Sequence, residues 1–158
     1  MKYLLLIILF VFIQPSFAKD TLIKDCAHLE NANESEFVLF NKKEFIQLGE
    51  CVAVSLIKKQ SILNLPLACD EVIEDHSNPL GIFSLSKLEA IYIGQCLGIV
   101  NYIYEHYHDE KVYRYDRWSN SNNKYRCVKG INAVNILRTI KSDRLDRNDI
   151  RDMLCVES

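Results

Sequence analysis

The chain has 158 residues, of which 49% are hydrophobic and 25% charged, with a formal net charge of −2. A single domain of this size buries roughly two thirds of the surface its unfolded chain exposes, so its core does not strictly depend on crosslinks. The near-neutral balance lacks the basic face that phosphate backbones require, which excludes nucleic acid as the main partner.

The first eighteen positions have the order of a secretory signal peptide. Lys2 supplies the positive start, Tyr3 to Ile13 is an unbroken apolar run, Gln14-Pro15 breaks it, and Ser16-Phe17-Ala18 offers small residues where a signal peptidase reads. The run falls short of the ~20 apolar residues a membrane span needs, and no later stretch is more apolar. An uncleaved anchor is the competing reading. Lys19, not a cysteine, follows the expected cut, so the chain does not read as a lipoprotein. Export places Cys26, Cys51, Cys69, Cys96, Cys127 and Cys155 in an oxidising route, periplasmic or secreted. They are even in number and none has Cys-x-x-Cys spacing, so disulfides are expected rather than a metal knuckle.

Residues 19–40 read as a loosely ordered N-terminal lead, polar and acidic to Glu36, pinned by Cys26 and ending in an apolar patch, Phe37-Val38-Leu39-Phe40, of undecided type. A helical domain follows over 41–158. Asn41 and Glu44 have capping-box spacing and open a helix to about Lys59, with Phe45, Leu48, Val52 and Leu56 as its apolar stripe and Cys51 beside it. Leu63 to Cys69 is apolar, with Pro66 limiting where a helix can start; Asp70 to Asp75 extends it, and the cluster from Ser77 to Gly81 is a turn. Ser86 and Glu89 repeat the capping box at the head of the longest element, to about His106, with Leu85 as a staple and Leu88, Tyr92, Cys96, Ile99 and Ile103 along one side. Gly94 and Gly98 each cost this helix roughly 1 kcal/mol relative to alanine, which implies a packing reason: a tight crossing inside the chain, or a homodimer contact.

From His108 to Lys124 the chain is polar and aromatic, with a short extended segment or hairpin around Tyr113 and Tyr115 and a loop at Ser119–Asn123. Asn132 to Lys141 forms a further helix, and Asp146 caps a last short one carrying Ile150, Met153 and Leu154. The fold class is mainly α: a small disulfide-stapled helical bundle, single domain. Cys51 with Cys96 would tie the two capped helices, and Cys127 with Cys155 would close the C-terminal helical hairpin.

The sharpest polar cluster runs from Glu105 to Glu110. His106, His108 and Glu110 are of metal-ligating type, but their spacing matches no His-Glu-x-x-His site, and a solvated helix end accounts for them equally; no metal or cofactor is expected. His108-Asp109 lacks the neighbouring cysteine pair and glycine-rich calcium loop of secreted phospholipases. No Gly-x-Ser-x-Gly elbow occurs, and His28 and His76 are isolated. A hydrolase with paired carboxylates stays open as an alternative, but the chain reads as a binding protein, not an enzyme. Tyr113, Tyr115, Arg117 and Trp118 are the residue types that anchor protein interfaces, interleaved on one loop.

Gln95-Cys96-Leu97-Gly98-Ile99-Val100 resembles the Cys-Leu-Gly-Tyr segment of the Rap/Tai-type immunity proteins, and Cys127-Val128-Lys129-Gly130-Ile131 resembles their Cys-x-Pro-Gly-Val turn. Cys155 resembles the closing cysteine of that family, and Phe45 to Cys51 its upstream helix. Lys129 stands where proline is usual, the aromatic insert is long, and Cys26 and Cys69 are additional. The resemblance implies a helical, disulfide-linked periplasmic protein, often dimeric, that occludes a peptidoglycan amidase toxin delivered by type VI secretion. It carries over no catalytic and no contact residue. A secreted effector or adaptor that engages host lipid or protein is the alternative; membrane contact is not expected, since Asp109, Glu110 and Asp116 offset the basic residues of the loop.

Overall fold

Three reciprocal capping boxes set the starts of the helices that matter most. At Asn41 the side-chain oxygen accepts from the amides of Lys43 and Glu44, while Glu44 reaches back to the Asn41 amide at 2.7 Å. Ser86 and Glu89 repeat this arrangement, as do Asp146 and Asp149. Each cap contributes about 1 kcal/mol.

The computed structural model describes residues 26–59, 62–77, 85–112 and 123–158. In chain order the elements are α1 (Cys26–Glu30), α2 (Glu34–Leu39), α3 (Lys42–Lys58), β1 (Ile62–Leu63), α4 (Leu65–Ser77), α5 (Lys87–Tyr107), β2 (Tyr125–Cys127), α6 (Gly130–Arg138), β3 (Arg144–Leu145), α7 (Arg147–Leu154) and β4 (Cys155–Glu157). The signal-peptide reading of 1–18 lies outside the described residues. Of the lead, residues 26–39 carry the two short helices α1 and α2, the second closed by its own capping box between Asn33 and Glu36. Pro66 sits in the first turn of α4, where its missing amide proton costs nothing.

The architecture is mainly α, a small stapled bundle with α5 as its spine. Cys96, Ile99 and Ile103 of α5 are fully buried, with α3, α4 and α6 packed around it. The closest contact is the crossing of α3 and α5. A Cβ at Gly49 would fall on the carbonyl of Ile91, one at Gly94 would fall on the carbonyl of Ile46, and one at Gly98 would lie 2.8 Å from the Glu50 Cα. The two α5 glycines therefore serve a crossing within the chain, and Gly49 is their counterpart.

This crossing corrects the expected stripes. On α3 the buried positions are Phe45, Gly49, Cys51, Ala53, Val54 and Ile57, while Leu48, Val52 and Leu56 are only half-buried. Small residues let the backbones meet, so they, not the large ones, face α5. On α5, Leu88 is 57% exposed and lies off the buried face.

It also corrects one disulfide. Cys51 and Cys96 stand two residues beyond Gly49 and Gly94, about 200° further round their helices, and so point away from the crossing. Cys51 bridges to Cys26 on α1, and Cys96 to Cys69 on α4. The expected Cys127–Cys155 bridge is present, but it joins two strands instead of closing a helical hairpin. Two short antiparallel ladders complete the fold: β1 with β3, in which Ile62 faces Leu145, and β2 with β4.

Candidate functional site

The C-terminal end of α5 is where the chain leaves the bundle. His108 is extended (φ −62°, ψ 126°), and Asp109 takes the left-handed conformation (φ 66°), which aspartate tolerates better than most residues. The chain then turns back on itself. The Asp109 amide donates to the Tyr125 carbonyl at 2.9 Å, the Tyr125 amide to Glu110 at 3.0 Å, and the Val112 amide to Asn123 at 2.9 Å. On the far edge of β2 lies β4, with Tyr125 opposite Glu157, Arg126 opposite Val156 and Cys127 opposite its disulfide partner Cys155. Lys124 and Ser158 exchange both backbone hydrogen bonds, at 3.0 and 2.9 Å. Three stretches, 109–112, 123–127 and 155–158, thus lie side by side and hold both ends of segment 113–122 at one place.

Rings and cations cover this base. His106 stacks on Tyr102 (centroids 3.9 Å apart), and His108 stacks on Tyr104 (4.4 Å). Tyr107 meets Tyr125 edge to face at 6.3 Å. The Arg151 guanidinium lies 5.6 Å from the Tyr107 ring and 5.5 Å from that of Tyr125, and the Lys129 ammonium lies 5.2 Å from Tyr104. Arg126 pairs with Asp109, an exposed contact worth less than about 1 kcal/mol. Burial raises the Tyr107 phenol above its ordinary pKa, with the charges of Arg147 and Arg151 opposing that shift. The phenol therefore stays protonated and is a hydrogen-bond donor at neutral pH.

Tyr113, Tyr115, Arg117 and Trp118 lie outside the described residues; what the structure supplies is the base that carries them. The metal-type trio is employed otherwise. His106 places Nδ1 3.0 Å from the Tyr102 carbonyl oxygen. His108 accepts from the Cys127 amide at Nδ1, 3.1 Å away, which requires an unprotonated Nδ1. Because α5 ends at Tyr107, Glu110 is no longer one helical turn from His106, nor Asp109 from Glu105. Among the described residues no group of three or more His, Cys, Asp or Glu is placed to hold a metal ion.

No family model, curated protein or solved structure matches the chain. The site therefore has to be read from its own groups. Sequence reasoning missed Lys129, Arg147 and Arg151; the one available signal was that Arg147 and Arg151 stand four apart on a capped helix.

Proposed function

We propose that this chain is an exported binding protein that engages a partner protein through segment 113–122 and the base beneath it. The observation that carries the reading is the fastening of that base. A segment rich in tyrosine, arginine and tryptophan joins two adjacent stretches, 109–112 and 123–127, the second of which is tied by Cys127–Cys155 to the last strand. Holding anchor residues on a rigid base reduces the ordering cost of binding. Three bridged cysteine pairs fit an oxidising, exported environment.

Within that class, the reading we favour is a periplasmic immunity protein that occludes a peptidoglycan amidase toxin. The short Cys-Leu-Gly and Cys-x-x-Gly motifs that suggest it fall at Cys96 in the core and at Cys127 in the base. The test is protection. Cells that export this chain should survive a periplasm-targeted amidase encoded beside it, and the chain should fractionate with the periplasm. Lysis at the rate of cells without the chain, or recovery of the chain from the medium alone, would overturn the immunity reading and favour a secreted effector.

A further inference from the structure

The base of segment 113–122 has two faces. Alternation puts Cys127 and Cys155 on the buried face, and Arg126 and Val156, which stand opposite each other, on the exposed one. Lys124 lies two residues before Arg126 and shares its face. Lys111 stands directly opposite Lys124, and the Arg126–Asp109 ion pair crosses between the same two stretches. The hydrogen bonds from the Val112 amide to Asn123 and from the Tyr125 amide to Glu110 flank the two lysines instead of joining them. That is the narrow kind of antiparallel pair, in which opposed side chains come closest.

Like charges opposed in this way destabilise a ladder. Among the described residues no acid relieves them: Asp109 is held by Arg126, and no other carboxylate pairs with Lys111 or Lys124. A lysine on an edge guards a sheet against added strands, which accounts for Lys111 alone. Lys124 lies on the middle stretch, between 109–112 and β4, where no edge needs guarding. On the same face Val156 is 67% exposed. The root of segment 113–122 therefore carries two ammonium groups side by side and an uncovered valine. The arrangement costs the unbound chain stability and suits an occupant that brings carboxylates.

The charge balance narrows the occupant. Nucleic acid and anionic bilayers present long arrays of charge and bind through a broad basic face. Two lysines on a chain of net charge −2 do not make one. Two carboxylates of a folded partner match them one for one.

We infer that the exposed face of the base, Lys111 and Lys124 with Val156, docks an acidic patch of the partner protein in which two carboxylates lie close together. Naming the partner as the occupant rests on the proposed binding function; the cationic face itself does not.

The test uses the exported, disulfide-bonded chain, labelled with ¹⁵N and titrated at constant ionic strength. The probes are a glutamate-serine peptide, the same peptide with glutamine for glutamate, and vesicles of mixed phosphatidylcholine and phosphatidylglycerol. The glutamate peptide should shift the amides of Lys111, Lys124 and Val156 saturably, and the glutamine peptide should leave them unmoved. Lys111→Glu sets opposite charges across the ladder, so it should unfold later in urea than the wild type and yet lose the response to the peptide. A purely structural residue would not gain stability as it lost binding. Against the amidase toxin, Lys111→Glu should slow association ~10-fold at low ionic strength, with the gap narrowing as salt is added. Lys111→Gln should fall between on both counts, and it decides together with the wild-type titration if Lys111→Glu fails to fold.

An equal response to the glutamine peptide, no saturable response, or a folded Lys111→Glu chain that binds the peptide as the wild type does would overturn the site. Tighter binding to the vesicles than to the glutamate peptide would overturn the protein occupant in favour of a lipid surface. If the peptide binds but Lys111→Glu leaves toxin association unchanged at low salt, the assignment of this face to the partner fails. If no glutamate peptide binds while Arg117→Ala with Trp118→Ala still abolishes partner binding, the binding function stands and this inference alone falls.

Discussion

Two corners of the molecule gather aromatic rings and use them differently. Where α2 meets α3, Phe37, Phe40 and Phe45 pack on one another with centroids 5.1 to 5.7 Å apart. Phe40 and Phe45 border a cavity of about 180 Å³ shared with Leu85 and Ala90, and Lys87 lies 5.3 Å from the Phe45 ring. At the end of α5 the rings are tyrosine and histidine: the tyrosine faces carry Arg151 and Lys129, and His108 Nδ1 accepts from the backbone of β2. Phenylalanine offers area alone, so the first corner is a packing device for the N-terminal helices. Tyrosine beside arginine offers area together with directed contacts, which is what recognition needs.

The largest expected effect separates packing from recognition. Phe45→Ala removes a ring that is 2% exposed and should cost about 3 to 5 kcal/mol in urea unfolding, while the folded fraction binds its partner as before. Weaker binding by the folded fraction would break the comparison. Next, Cys127→Ser with Cys155→Ser opens a bridge spanning 28 residues and should cost about 3 kcal/mol. Unlike the phenylalanine change, it should also weaken partner binding and speed proteolytic cutting within segment 113–122, read by mass mapping of limited digests. Binding that survived intact would show that the base need not be fastened.

The smallest effect concerns the frame between the two corners. Glu50 lies at the α3–α5 crossing, and burial raises its carboxyl above the usual range. The folded state therefore holds this proton more tightly than the unfolded state does. The resulting penalty is absent at acid pH and grows as pH rises through the raised value. Glu50→Gln should unfold with the wild type at acid pH and later than it at neutral pH. Parallel curves at all pH values would show that Glu50 is not penalised. Neither corner should change its binding behaviour.

What was legible in the sequence was local. The capping boxes at Asn41, Ser86 and Asp146 are three-residue relations, and each fixes a helix start where expected. The cost of Gly94 and Gly98 announces a close approach, and Gly49 costs its own helix as much, but nothing local says that these two helices are the ones that meet. Cys51 and Cys96 do not pair, because the small residues and not the large apolar ones mark the facing stripe. The β2–β4 ladder is three residues long, too short for alternation to reveal, so the strand that carries Cys155 has no signal in the sequence.

The central claim is that segment 113–122 binds the partner and the helices carry it. The direct measurement is titration calorimetry of the exported chain and of Arg117→Ala with Trp118→Ala against the proposed partner, an amidase toxin. The account predicts a loss of affinity of roughly a hundredfold or more with unchanged thermal stability. Affinity equal to that of the wild type would contradict it.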